Sequence, residues 1–81
     1  MNPTNPWRGV FFDGPEPDAA FYHPIFGNRY ETFAWCVFIG DENVKPVEPV
    51  QWVYTYADGL TLARRTAHDR HLDLVRVATT A

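Results

Sequence analysis

The sequence of 81 residues contains no serine, one lysine and one cysteine. The absence of serine excludes a serine nucleophile. The single cysteine, Cys36, excludes an intramolecular disulfide and a zinc site built from several thiolates. Because Cys36 lies inside an apolar run, where desolvation raises the pKa of a thiol, we expect a core residue without thiolate chemistry. The five glycines are dispersed and form no loop that could hold a phosphate group.

The chain also lacks a large charge and any segment that would direct it to a membrane. Ten acidic and seven basic residues give a formal net charge of −3, which does not favour unspecific binding to nucleic acid. The longest apolar run is far too short to span a bilayer. Residues 1–6 lack the basic and apolar regions of a secretory signal. We therefore expect a cytoplasmic protein that uses no cofactor and does not act at a membrane.

The most informative stretch that is present is the apolar run from Phe33 to Ile39. Aromatic and β-branched residues at this density favour a strand, and an unbroken apolar run indicates a strand buried on both faces. We predict one long strand over residues 29–39 and a second over residues 50–57. The length and the hydrophobic content of 46% predict a single folded domain over residues 1–81.

Proline is concentrated near the N-terminus, where five of the seven prolines lie within the first 24 residues. Proline fixes φ and has no N–H to donate. We therefore predict that residues 1–28 form an irregular arm with one short strand over residues 9–12, and that residues 29–81 form the β-rich core. The apolar side chains of the arm leave water only if the arm packs on the sheet.

The dipeptide Asp58-Gly59 allows two structures. Asp-Gly is typical of a type I′ hairpin turn, after which the chain would return as a strand from Leu60 and form a further strand over residues 71–77. Alternatively, apolar residues recur at helical spacing from Leu60, with Asp58 as N-cap of a helix ending near residue 71. We prefer the hairpin, because the turn signal directly follows a strong strand.

These elements predict a mainly β fold, or an α+β fold if residues 60–71 are helical. We expect a small twisted antiparallel sheet, or a partly open barrel, of four to five strands. The proline-rich N-terminal arm would be packed on it.

The predicted hairpin places three aromatic residues on one face, with two arginines at its edge. These candidate partner-binding residues are Trp52, Tyr54, Tyr56, Arg64 and Arg65. Tryptophan, tyrosine and arginine are enriched in protein–protein hot spots. Our leading hypothesis is therefore a protein-binding module that is not an enzyme, whose partner is another protein or a second copy in a homodimer. Small chains of this kind include accessory subunits and inhibitors encoded by phages or other mobile elements. The same face could instead pack under the arm.

Two other functions are alternatives. Aromatic residues on a sheet can stack with single-stranded nucleic acid while arginines contact its backbone, which would use the same five residues. Acid–base chemistry would use the histidines and nearby carboxylates, namely His23, His68, Asp69, His71 and Asp73. Imidazole and carboxylate groups can also bind a metal ion, but their spacing matches no pattern that closes a tetrahedral site. We predict no metal.

Overall fold

The computed structural model describes residues 6–17, 21–22, 29–30 and 33–80. In chain order the elements are β1 (Gly9–Pro17), β2 (Phe21–Tyr22), β3 (Arg29–Tyr30), β4 (Phe33–Gly40), β5 (Gln51–Val53), helix α1 (Tyr56–Arg70) and β6 (Leu74–Arg76). The described residues are mostly strands with one helix, and the main sheet is not closed into a barrel. The predicted fold class, a small mainly β or α+β domain, is confirmed.

The main sheet has four strands in the order β5-β4-β1-β6. The β4–β5 and β1–β4 pairs are antiparallel, as predicted, whereas β1 and β6 are parallel. β2 and β3 form a separate antiparallel pair. The predicted strand over residues 29–39 is therefore divided, with residues 29–30 in β3 and residues 33–39 in β4.

The N-terminal segment contains the strand predicted over residues 9–12, but β1 extends to Pro17 and lies inside the sheet, so this part of the segment is not an irregular arm. β1 lies between β4 and β6, and Val10, Phe11 and Phe12 are buried. A register shift between Asp13 and Glu16 accommodates Gly14 and Pro15 within the β1–β4 pair, as bulges do for residues that cannot complete a ladder. The length of this strand was underestimated, because proline has no N–H to donate to a neighbouring strand and the strand was expected to end before Pro15. Residues 1–5, 18–20 and 23–28 lie outside the described part of the chain.

Residues 56–70 form a helix, so the predicted hairpin at Asp58-Gly59 is wrong. The alternative, a helix ending near residue 71, is correct except that the helix begins before Asp58, which was expected to be its N-cap. The strand predicted over residues 50–57 ends at Val53. Thr55 is the N-cap, and its Oγ1 accepts a hydrogen bond from the backbone N–H of Asp58 at 3.1 Å. At the other end His71 adopts the left-handed conformation, and its backbone N–H donates hydrogen bonds to the carbonyl oxygens of Ala67 and His68. These caps satisfy terminal backbone groups that the helix itself leaves unpaired.

The helix packs across one face of the sheet and encloses the larger core. The buried side chains there are Val10, Phe12, Trp35, Val37, Ile39 and Ala63. Gly59 and Ala63 are the buried positions of the helix, which allows its backbone to approach β1. The Trp35 Nε1–H donates to the carbonyl oxygen of Thr79 at 3.1 Å, so the segment after β6 closes one end of this core.

The strand predicted over residues 71–77 is shorter than expected and is parallel to its neighbour. It covers Leu74–Arg76 and pairs with β1. An antiparallel meander was expected because residues 60–65 were assigned to a strand. The helix instead carries the chain across the sheet, so that β6 enters in the same direction as β1. Within the described ranges, no helix is both long and apolar enough to cross a membrane.

Candidate functional site

The predicted aromatic face of Trp52, Tyr54 and Tyr56 does not form, because the chain leaves the strand at Val53. Tyr56 is the first helical residue and belongs to the core, where its ring centroid lies 5.2 Å from that of Phe12. Tyr54 lies in the connection and is 60% exposed. Trp52 lies on β5 opposite Cys36. Only Trp52 among the three therefore projects from the sheet.

Arg64 and Arg65 are exposed residues of α1, which covers the opposite face of the sheet from Trp52. The structure thus does not bring the five predicted partner-binding residues together. A base-stacking surface with cations beside it, as the nucleic-acid hypothesis requires, is not built from them. The binding role assigned to each residue remains a prediction.

The structure instead presents a second aromatic surface on the sheet face that α1 does not cover. We call it the open face. Its central side chains are Phe11, Cys36 and Phe38, and its outer residues are Trp7, Asp13, Trp52 and Arg76. Because side chains alternate along a strand, these β1 and β4 residues point away from Val10, Phe12, Trp35 and Val37 of the helix-covered core.

Two glycines leave room for the aromatic rings of the open face. Gly9 and Gly40 are directly opposite each other on β1 and β4. A Cβ at Gly40 would lie 2.9 Å from Cε1 of Phe11 and 3.1 Å from Cε2 of Phe38. A Cβ at Gly9 would lie 2.7 Å from the ring of Trp7. These rings, together with Val75 beside Gly9, occupy the space that the added side chains would need. Val44 and Val50 pack against Phe11, Cys36 and Phe38 and help to bury them.

Two tryptophans flank this central pair and remain half exposed. The rings of Phe11 and Phe38 are stacked with centroids 5.3 Å apart. Trp7 meets Phe11 edge to face at 6.2 Å and is 44% exposed. Trp52, beside Cys36 on the other side, is 52% exposed. The open face therefore carries a buried apolar centre between two large side chains that still contact water.

An ion pair lies at one edge of the open face. Arg76 Nη1 donates to both carboxylate oxygens of Asp13 at 2.9 Å. The same guanidinium lies 5.3 Å from the ring centroid of Phe11, in cation–π geometry. Its other nitrogens donate to no residue in the described ranges, so they are available to a further acceptor.

Cys36 is buried in the open face, as predicted. Burial raises the pKa of its thiol, and the carboxylates of Asp13 and Glu16 raise it further. The thiolate is the nucleophilic form, so Cys36 is poorly suited to covalent catalysis.

We expect a thiol reagent to label Cys36 much more slowly in the native protein than in denaturant, because labelling needs both access and ionisation. The rates can be compared by mass spectrometry at one pH. Equal rates in the two conditions would contradict the burial of this thiol.

The residues of the acid–base hypothesis do not converge in the described structure. His23 lies outside the described residues. His68 and Asp69 are exposed neighbours near the helix C-terminus, with Nδ1 and Oδ1 3.4 Å apart. His71 is the C-cap, and Asp73 is an exposed residue before β6. No group of three metal-binding side chains is assembled anywhere in the described ranges.

A small crevice lies between the helix C-terminus and the loop before β5. Its volume is about 280 Å³, and its lining includes Ile39, Pro49 and Thr66. Arg70 and Glu48 form a two-pronged ion pair at its margin, with Arg70 Nη1 2.9 Å from Oε1. The hydrogen bond from Arg70 lowers the pKa of Glu48, and Glu48 raises that of Arg70. This ion pair attaches the loop to the helix.

The lowered pKa of Glu48 predicts a pH-dependent contribution to stability. Because the carboxylate has a lower pKa folded than unfolded, its contribution is complete above the ordinary carboxyl pKa and is lost as pH falls through the folded pKa. We expect Glu48→Gln to lower the melting temperature slightly at neutral pH, and this difference to disappear in acid. Glu42→Gln, in the same loop, is the control. A Glu48→Gln effect that is independent of pH would contradict the assignment.

Sequence reasoning missed most of the open face, although signals for it were present. Phe11 and Phe12 were assigned to an arm, and Trp7 and Arg76 were not singled out. The apolar run Val10-Phe11-Phe12 predicted a short strand, and its burial on both faces is typical of a strand inside a sheet. Which face the helix would cover could not be predicted once residues 60–65 were assigned to a strand.

Comparison with known proteins adds no family to this description. No protein-family model matches the chain, no curated protein is significantly similar to it, and no solved structure matches it.

Proposed function

We propose that this chain is a protein-binding module that is not an enzyme and that associates through its open face. The observation that carries the proposal is the pair of half-exposed tryptophans, Trp7 and Trp52, on either side of the stacked Phe11–Phe38 rings. The fold leaves these two large apolar side chains half exposed, and aromatic residues are enriched at association sites. Tryptophan and arginine are the residues that most often dominate binding energy at such sites.

The composition of the open face supports a protein partner over nucleic acid. A nucleic-acid surface needs several cations that neutralise phosphates. Among the described residues of the open face, Arg76 is the only cation, and Asp13 already pairs with it. Exposed aromatic side chains with few charged groups beside them are typical of a protein interface. Roles as an accessory subunit or as an inhibitor encoded by a mobile element are both compatible with such a module.

The proposal is tested by placing a photoreactive phenylalanine analogue at position 52 in the native cells. Phe33 provides a matched control site, because it is also aromatic and is 53% exposed. It lies on β4 two residues before Trp35, so both side chains are on the sheet face that α1 covers and not on the open face. We expect a discrete cross-linked protein adduct from position 52 and no equivalent adduct from position 33.

Mass spectrometry of the adduct identifies what is bound. A protein adduct specific to position 52 supports the proposal, whether the second chain is this protein or another. Equal adducts from both positions, or no protein adduct from position 52, would overturn it. An adduct containing nucleic acid would replace it with the nucleic-acid alternative.

A further inference from the structure

We infer that the crevice between the C-terminal half of α1 and the loop before β5 binds a lysine residue of a partner protein, through its main-chain carbonyl and its ammonium group. The inference does not rest on the proposed function, because the open face lies on the other side of the sheet from α1. The crevice has a volume of about 280 Å³. That is slightly below the usual range of small-molecule pockets, so it suits a single residue.

The crevice lies where the pairing of β4 with the following chain is interrupted. Val37 pairs with Gln51, and Gly40 pairs with Pro46. Two residues of β4 lie between these pairs, at positions 38 and 39, against four residues of the other segment, at positions 47–50. The longer segment must bend away from the strand, as it does in a bulge. The crevice opens at this gap, and Ile39 is part of its lining.

The gap leaves the backbone N–H of Ile39 without an acceptor. The Ile39 carbonyl accepts from the N–H of Val47 at 2.9 Å, so both polar groups of Ile39 point towards the loop. On the other side Val10, opposite Ile39, donates to Asp73 and so points away from β4. No carbonyl among the described residues accepts from the Ile39 N–H. Ile39 is only 5% exposed, and a buried backbone donor is normally paired. An occupant of the crevice should therefore supply an acceptor oxygen.

The helix side of the crevice favours a positive charge. Thr66, Asp69 and Arg70 are three and four residues apart, so they share one face of α1, and all three line the crevice. Arg70 is already neutralised by Glu48. The one contact of the Asp69 carboxylate within the described ranges is with His68 Nδ1, at 3.4 Å. One uncompensated carboxylate remains, which favours a cation and disfavours a ligand that is itself an acid.

A lysine residue of a polypeptide combines the groups that this crevice requires. Its carbonyl oxygen accepts from the Ile39 N–H, its apolar stem lies against Val37 and Pro49, and its ammonium reaches Asp69. Lysine commonly buries its stem while the charged end stays at the surface. The net charge of −3 also favours the approach of a basic partner.

NMR titration of the isotope-labelled full chain tests the inference, with N-acetyl-lysine-N-methylamide as the probe. We expect the amide resonances of Ile39, Thr66 and Asp69 to shift together and to give one dissociation constant. The Ile39 amide proton should move downfield and exchange more slowly with solvent, because it gains an acceptor. N-acetyl-norleucine-N-methylamide keeps the carbonyls and the stem but lacks the ammonium, so it should bind at least about threefold more weakly.

Two variants separate the carboxylate of the crevice from general charge. Asp69→Asn keeps the shape of the side chain, and we expect it to weaken binding of the lysine probe to the level of the norleucine probe. Asp73→Asn removes an exposed carboxylate that does not line the crevice, and should leave binding unchanged. The amide spectra of both variants check that the fold is retained.

The inference is overturned if the lysine probe causes no shift at Ile39 at tens of millimolar, since the crevice would then hold an ordered water only. Equal binding of the two probes, or equal effects of Asp69→Asn and Asp73→Asn, would also overturn it. Cross-linking from position 52 does not report on this crevice, so the proposed function and this inference fail independently.

Discussion

Gly59→Ala is expected to destabilise the protein by about 1–3 kcal/mol, the usual effect of overfilling a packed interior. Alanine normally stabilises a helix interior relative to glycine by about 1 kcal/mol, so the expected sign is opposite to that of helix propensity. The reason is a close approach of α1 to β1. A Cβ at Gly59 would lie 2.6 Å from Cζ of Phe12 and 3.1 Å from Cγ2 of Val53.

Chemical denaturation monitored by circular dichroism measures this change in the free energy of unfolding. Thr61→Ala is the matched control, because residue 61 is an exposed position of the same helix and gains propensity without a clash. We expect that variant to be as stable as the wild type or more stable. A Gly59→Ala protein that is also more stable would show that the helix does not approach Phe12 as described.

Phe12→Ala is expected to have the largest effect of any single substitution, about 3–5 kcal/mol. Phe12 is fully buried, is among the largest such side chains described, and contacts Tyr56 at the start of the helix. Its removal leaves a cavity between the sheet and α1 that neighbouring side chains fill only in part. The free energy of unfolding of a native protein is about 5–15 kcal/mol, and a small domain lies near the lower end. A large fraction of this variant should therefore be unfolded at room temperature or on mild heating.

Phe33→Ala removes the same atoms from a half-exposed position and serves as the control. We expect it to change stability by less than about 0.5 kcal/mol, as exposed substitutions usually do. If the two variants lose similar stability, the side of the sheet that α1 covers has been misassigned.

The parts of the fold that depend on local sequence could be predicted. The run from Phe33 to Ile39 is apolar in every position and became β4, because a strand between two neighbours is buried on both faces. The position of Cys36 followed from the same signal. The proline-rich beginning was underestimated, since β1 is fixed by pairing with β4, later in the chain, and with β6 near the C-terminus.

The error at Asp58-Gly59 has a physical cause that local reasoning could not reveal. Glycine was interpreted as a residue needed for positive φ in a turn. In the structure it is needed for space, because the ring of Phe12 occupies the position of its side chain. The Thr55 cap, three residues before Asp58, was the local signal that favoured a helix.

The candidate site was mispredicted for the same reason. A strand through residues 50–57 would have placed Trp52, Tyr54 and Tyr56 on one face, and the helix removes Tyr56 from it. The actual open face combines residues from both ends of the chain, Trp7 and Arg76, with the middle of β4. That combination depends on the order of strands, which cannot be derived from periodicity alone.

Hydroxyl-radical footprinting of Trp7, Trp35, Trp52 and Phe33 tests whether this chain associates through its open face. The oxidation rate of each ring is compared between dilute purified protein and the native cells. We predict that Trp7 and Trp52 oxidise faster than buried Trp35 in the dilute protein, and that both become protected together in cells while Phe33 does not. If Phe33 and the exposed helix residues become protected in cells while Trp7 and Trp52 do not, the chain associates through a surface other than the open face.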